Sequence, residues 1–291
     1  MRRCRGLPIA VALCCLSACS EPREPEPSAD TYSRVVALAP NLTELTFAAG
    51  AGSALVGVSA YSDYPQAARE LPLVGDAFTV DQEQLALLQP DLLLAWQSGT
   101  PAHVVDELRG VGYRVEVLRT QSLDDVAAAL RRIGELTGYA EIASHAAADF
   151  SGELQSIREA NAGRAEVTVF YQVSARPLYT VNGEHYVSEL IGLCGGRNVF
   201  GDLNELAPTI AVEAVVERDP EVMLASSDAG IAAFTEWSRW PDMAANRYGN
   251  HFLMPADEIG RATPRLARAA KTLCRALAIA RSRMAAADAE S

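Results

Sequence analysis

Residues 56–65 read VGVSAYSDYP, an apolar run whose tail becomes Tyr61, Ser62, Asp63, Tyr64 and Pro65. Tyrosine joins a broad apolar ring to a polar tip, so two of them at a strand end suit the holding of a large flat ligand. Trp96 closes the run PDLLLAW in the same way. Reactive groups are poorly represented by comparison. No G-x-S-x-G, P-loop or G-x-G-x-x-G occurs, and no nucleophile stands beside an evident base. The stretch LCGGRNVFGD is glycine-rich but follows a helical pattern, the wrong context for a phosphate cradle. His103, His145, His185 and His251 are scattered without ligand spacing, so no metal site is expected. Binding without turnover is the expectation, and an exported hydrolase or lyase is the last alternative.

A second pair of chemically able residues emerges from an internal repeat. Residues 80–95, VDQEQLALLQPDLLLA, align without a gap on 210–225, IAVEAVVERDPEVMLA, at an offset of 130. Glu83 then falls on Glu213, and Arg34 on Arg164. Each glutamate sits near the start of a helical pattern, where a carboxylate favours the helix N-terminus. One per lobe, they also form a pseudo-symmetric pair suited to a partner with two-fold symmetry. A looser match sets TELTFAAGAG against SELIGLCGGR, two helical patterns ending in glycines.

The elements that must carry these residues alternate short β-branched runs with helical patterns from Arg34 onward, which argues α/β with mainly parallel strands. Strands are expected at VVALA, ALVGVSA, Leu92–Trp96, 114–118, Val167–Gln172, 222–225 and 252–255. Asn41 and Glu44 read as an N-cap and N3 pair, with Gly50 as the helix stop. Between the two sets of strands lie helical stretches 122–138 and 139–162, the second with Ile142, Ala146, Phe150, Leu154 and Ile157 at helical spacing. That second helix would run about 35 Å and serve as a strut between two lobes. Ligands of open parallel sheets bind outside the carboxyl ends of the strands, so Tyr61, Tyr64 and Trp96 belong to the rim of an interlobe cleft.

The first residues address the chain for export. Arg2, Arg3 and Arg5 precede a short apolar run, and Leu16-Ser17-Ala18-Cys19 looks like the lipobox of a bacterial lipoprotein. Cleavage after residue 18 would leave Cys19 as the lipidated first residue, holding the protein on a membrane surface. A stalk over 19–33, rich in proline and glutamate, precedes the lobes at 34–138 and 164–291, joined by the helix of 139–163. Loss of the three signal arginines leaves 22 basic against 37 acidic side chains, a charge of −15 that excludes nucleic acid as a partner. Of six cysteines, Cys194 and Cys274 alone remain in the exported body. In an oxidising compartment they are expected to form a disulfide, the alternative being two separate buried thiols.

At this point the chain resembles a known family: the periplasmic cobalamin-binding proteins that serve ABC importers, within the metal-chelate receptors built on a helical backbone. The resemblance rests on ALAPNLTELTFAAGA, VGVSAYSDYP, LLQPDLLLAW, LIGLCGGRNVF and RATPRLARAAKTLCRAL, in the family's order over nearly all of 34–282. It implies two α/β lobes bridged by a rigid helix, a corrinoid held in the cleft as cargo, and no cofactor of the protein's own. The ligand set it implies is Asn41, Tyr61, Phe78, Trp96, Tyr179, Asp257 and Arg261. Glu83 and Glu213 resemble the glutamates that meet arginines of a homodimeric permease, which works with ATPase subunits. Cys194 and Cys274 resemble the family's disulfide, and the protein is expected as a periplasmic monomer anchored to the inner or outer membrane. Ala77, Leu206, Ala207, Glu258 and Ile259 stand where the cobalamin receptors carry aromatic residues. Another tetrapyrrole, a metal-siderophore chelate, or a surface lipoprotein that captures corrinoid without a permease are the alternatives.

Overall fold

Val35, Val36 and Ala37 are apolar at successive positions, and such runs are stable as strands only where both sheet faces are covered. The computed structural model, which describes residues 31–76 and 78–290, meets that condition twice. In the first half β1 (Val35–Ala37), α1 (Pro40–Ala48), β2 (Leu55–Val58), α2 (Gln82–Leu88), β3 (Leu92–Trp96), α3 (Ala102–Gly110) and β4 (Val115–Leu118) form a parallel sheet of order β2-β1-β3-β4. Two helices follow, α4 (Leu123–Thr137) and α5 (Ala140–Asn161). Then come β5 (Val167–Gln172), the hairpin β6 (Ser174–Ala175) and β7 (Leu178–Tyr179), α6 (Tyr186–Leu193), β8 (Gly196–Asn198), α7 (Val212–Arg218), β9 (Val222–Ser226), α8 (Ala244–Arg247) and β10 (His251–Met254). The second sheet, also parallel, has the order β10-β9-β5-β8. The chain ends with α9 (Ala256–Ile259) and the long α10 (Leu266–Glu290).

Read from its other edge, the second sheet repeats the topology of the first, with β5, β8, β9 and β10 in the places of β1, β2, β3 and β4. The duplication extends to single residues. Helices α2 and α7 and strands β3 and β9 have the same bounds at the offset of 130. Gln89 and Asp219, matched at that offset, each end their helix in the left-handed conformation, with φ of 46° and 40°.

Alternate residues of each strand point to opposite faces. Val35, Ala37, Leu92 and Leu94 join Val167, Val169, Val222 and Leu224 in one continuous core with α1, α4, α5, α6 and α10. Val36 and Leu93 pack outward under α2 and α3, while Phe170 and Met223 pack under α7 and the turns of 231–239. The two lobes therefore share one apolar layer, and sliding one past the other would break close-packed contacts.

Several local expectations hold. The helical stretch expected over 122–138 forms α4, which the structure caps with Ser122 in a reciprocal box with Asp125 and ends at Gly138 with a φ of 84°. Cys194 and Cys274 form a disulfide across 80 residues, tying the end of α6 to α10. Two expectations fail. The first helix begins at Pro40 with Ala39 as its uncapped N-terminal neighbour, because proline's fixed φ starts the helix one residue earlier; Asn41 and Glu44 make no capping box. On α5, at roughly 33 Å for its 22 residues, the buried stripe runs through Ala143, Ala147, Phe150, Leu154 and Ile157. Ile142 is instead exposed and lies against Gly50, where a Cβ would stand 2.7 Å from its Cγ2.

Residues 1–18, Cys19 with the rest of the stalk up to residue 30, and Ala77 lie outside the described residues. Among the described residues no helix is long and apolar enough to cross a membrane.

Candidate functional site

The loop after β2 is anchored before it is shaped. Ala60 donates to the Gly75 carbonyl at 2.7 Å, and the buried Ser62 hydroxyl lies 2.9 Å from that of Thr43 on α1. Between these fixed points Tyr61 takes a φ of 65°, a conformation that costs a bulky L-residue energy and that it keeps only where its surroundings hold it. Its ring is 81% exposed. Phe78, 71% exposed, is presented on the neighbouring turn, where Asp76 Oδ1 accepts from the amides of Phe78 and Thr79 at 2.8 Å each. Gly75 makes this turn possible, since a Cβ there would stand 2.1 Å from the Thr79 carbonyl at a φ of 104°.

From the other lobe, Arg261 reaches this loop. Its Nη1 donates to Asp63 Oδ1 at 2.6 Å and to Glu44 Oε1 at 2.9 Å, and its Nη2 donates to the Tyr61 carbonyl at 3.2 Å. Asp257 stands 3.6 Å from the same guanidinium. Arg265, one turn on, donates from Nε to Glu44 Oε2 at 2.9 Å and lays its guanidinium 4.3 Å from the centre of the Tyr64 ring. Burial opposes the charge of Asp63, yet the Arg261 guanidinium outweighs it and holds the carboxyl below its ordinary range. Burial likewise opposes the charge of Arg261, and its hydrogen bonds to Asp63 and Glu44 outweigh it and raise its pKa.

Tyr61, Asp257 and Arg261 are thus brought together by direct contact. Asn41 is buried on α1 and donates to Thr120 Oγ1 at 3.4 Å, after the carboxyl end of β4. Trp96 closes β3, half-buried, with its Nε1 buried and without an acceptor. Tyr179 lies on β7, half-buried and paired with Ser174. A pocket of about 420 Å³ between the β6–β7 hairpin and residues 231–239 is lined by Gln172, Arg176, Trp237 and Trp240, and by none of the expected ligand residues. Ile259 is fully buried, so its side chain is absent from the cleft surface, and Glu258 pairs with Arg268 at 3.5 Å.

Sequence reasoning missed Glu44, Asp63, Thr120 and Arg265. Asp63 stood in the quoted loop and Arg265 in RATPRLARAA, but their partners lie 198 and 221 residues away, and no local pattern pairs them. Glu83 and Glu213 are exposed in the first turns of α2 and α7, where Asp81 caps the former helix by accepting from Gln84. Among the described residues no three His, Cys, Asp or Glu side chains converge as a metal site.

Comparison with known proteins agrees with this architecture. The chain is similar to the vitamin B12-binding protein of Vibrio cholerae serotype O1, 36% identical over 248 residues that cover 85% of this chain and 90% of the relative. It is 33% identical to that of Yersinia pestis, over 94% of both chains. The crystal structure of the periplasmic vitamin B12 binding protein BtuF of Vibrio cholerae superposes with a TM-score of 0.78 at 35% identity, covering 86% of this chain and 98% of that one. A periplasmic heme-binding protein, BhuT, shares the fold at a TM-score of 0.74 and 24% identity, over 86% of this chain and 99% of its own. The family described as periplasmic binding protein matches residues 35–258. Two matched parallel sheets, a shared helical layer and these matches lead to one conclusion: the chain belongs to the periplasmic binding protein family, and it is a solute-binding transporter component, not an enzyme.

Proposed function

We propose that the protein captures cobalamin or a related corrinoid between its two sheets and delivers it to an ABC importer. The observation that carries this reading is the exposed pair of aromatic faces, Tyr61 and Phe78, at the carboxyl ends of the first sheet, in a chain so similar to vitamin B12-binding proteins. A corrin ring is broad and largely apolar, and such faces hold it by area. Tyr179 and Asp257 complete the contact set from the second lobe. Asn41 serves through Thr120, and Arg261 through the backbone and carboxylate of the Tyr61 loop.

Delivery is assigned to Glu83 and Glu213. The matched bounds of α2 and α7 support two carboxylates in equivalent settings, as a homodimeric permease requires. Residues 34–138 and 164–291 act as the two lobes, the helix of 139–163 as their strut, and Cys19 as the lipid anchor of a periplasmic monomer.

A tetrapyrrole reading has one observation in its favour: the exposed Tyr61 phenol is of a kind that ligates haem iron. Calorimetric titration of the purified full chain with cyanocobalamin, haem and a ferric siderophore separates the readings. One-to-one binding of cyanocobalamin that weakens in Tyr61→Ala is the expected result. Heat with haem alone would replace the corrinoid by another tetrapyrrole and keep the transport role.

A further inference from the structure

Glu44 has no place in the ligand set, yet its geometry is that of a residue on which the site depends. It is 4% exposed, on a helix of the first lobe, and both its oxygens accept from arginines of the second. A buried carboxylate is kept only where it is paired and hydrogen-bonded, and two guanidiniums satisfy that need here. Each of the two arginines carries the contact onward to a different tyrosine. Arg261 continues to the carbonyl of the left-handed Tyr61 and to Asp63 two residues on. Arg265 continues to the face of Tyr64. Tyr61 is too exposed to be held by packing, so where its Cα–Cβ bond points follows from its backbone.

The looser repeat supplies a contrast. Glu189 matches Glu44 in the second lobe, and it also reaches across, but to the amide of Leu123 at the start of α4 at 3.1 Å. One carboxylate therefore meets a helix terminus and the other meets two arginines, one leading to the Tyr61 backbone and one to the Tyr64 ring. A crossing contact is made at both places, and only that of Glu44 runs through arginines to the loop after β2.

We propose that Glu44 is a positioning residue of the ligand site: through Arg261 it fixes the left-handed Tyr61 turn, and through Arg265 it fixes the Tyr64 ring, without touching the cargo. The inference rests on the corrinoid reading for its consequence but not for its mechanism.

The test uses the purified full chain. Glu44→Gln keeps the shape and removes the charge that both arginines require. Amide hydrogen exchange over residues 60–65 in the ligand-free protein is expected to rise about tenfold, while β1 and β3 keep their protection. Cyanocobalamin affinity is expected to fall about tenfold, and to fall no further when Glu44→Gln is added to a Tyr61→Ala/Tyr64→Ala background, because coupled residues are not additive. Unchanged exchange over 60–65, or an equal loss of affinity in that double background, overturns the proposal. Should Glu44→Gln fail to fold, Arg265→Lys keeps the charge but offers no flat face to Tyr64. It is expected to weaken binding only where Tyr64 is present, and an equal loss in Tyr64→Ala overturns the proposal. Failure of the unmodified chain to bind cyanocobalamin would overturn the corrinoid reading alone, since the exchange measurement decides the positioning role without ligand.

Discussion

Glu189 on α6 accepts a hydrogen bond from the amide of Leu123, the first residue of α4, at 3.1 Å across the two lobes. Tyr186 strengthens the same junction by donating to the Gln121 carbonyl at 2.7 Å. Burial raises the Glu189 pKa, the Leu123 amide lowers it, and Asp124 and Asp125 raise it further, for a net upward shift. Its proton is bound more tightly in the folded state than in the unfolded one. The ionised group therefore costs stability at neutral pH, and the cost disappears as pH falls through the raised value. Glu189→Gln is expected to unfold on the order of 2 °C higher than the unmodified protein at pH 7. The two should converge by about pH 4, where the parent carboxyl is protonated, as thermal unfolding at several pH values would show.

His185 acts in the opposite sense. Its Nδ1 accepts from the Val187 amide at 3.1 Å and caps α6, which requires the neutral ring, and burial pushes its pKa down to about 4. The unfolded ring takes a proton near 6.5. Stability is thus full above pH 6.5 and is lost as pH falls toward 4, by roughly 3 kcal/mol. His185→Asn, which caps without titrating, is expected to flatten this part of the stability profile measured by denaturant unfolding.

The left-handed Tyr61 couples stability to binding. Tyr61→Gly removes a strained conformation and is expected to stabilise the fold by about 1 kcal/mol, while cyanocobalamin affinity falls on the order of tenfold with the lost ring face. Trp96→Ala is expected to weaken binding similarly and to lower stability, because its ring packs against the shared core. A Tyr61→Gly protein that is both less stable and equally tight in binding would contradict this assignment.

For delivery, Glu83→Arg combined with Glu213→Arg is expected to abolish corrinoid uptake in cells and to leave affinity in vitro unchanged. Both side chains are exposed in the first turns of their helices, so a fall in affinity on charge reversal would remove them from the docking role.

Reduction of the Cys194–Cys274 bond opens an 80-residue loop. Loop-closure entropy gives about 4.5 kcal/mol for a loop of that size, so the unfolding midpoint in denaturant should drop on adding reductant. Cys194→Ala/Cys274→Ala should abolish the response to reductant.

Much of this molecule could be read along the chain. The repeat at 130 placed Glu83 and Glu213 on matching helices, and Leu92–Trp96 and Val167–Gln172 were legible as strands because fully covered parallel strands are continuous apolar runs. The helical pattern over 122–138 is α4, capped by Ser122 and ended at Gly138, whose missing side chain permits the left-handed conformation. These features are local: periodicity, capping and turn preference act over a few residues.

The roles of Glu44 and Arg261 were not legible in that way. By spacing Glu44 reads as a helix cap, and by resemblance Arg261 as a ligand contact; in the fold they meet each other, 217 residues apart, and Arg261 also binds Asp63 and the Tyr61 carbonyl. Ile142 likewise fits the apolar stripe of α5 by periodicity, yet lies outside it over a glycine of the first lobe. The sequence by itself determined two α/β halves, their disulfide candidates, and aromatic residues at the strand ends. Only the tertiary structure decided which charges are buried together, because the free energy of an ion pair depends on distance and burial, and neither is a property of neighbouring positions in a chain.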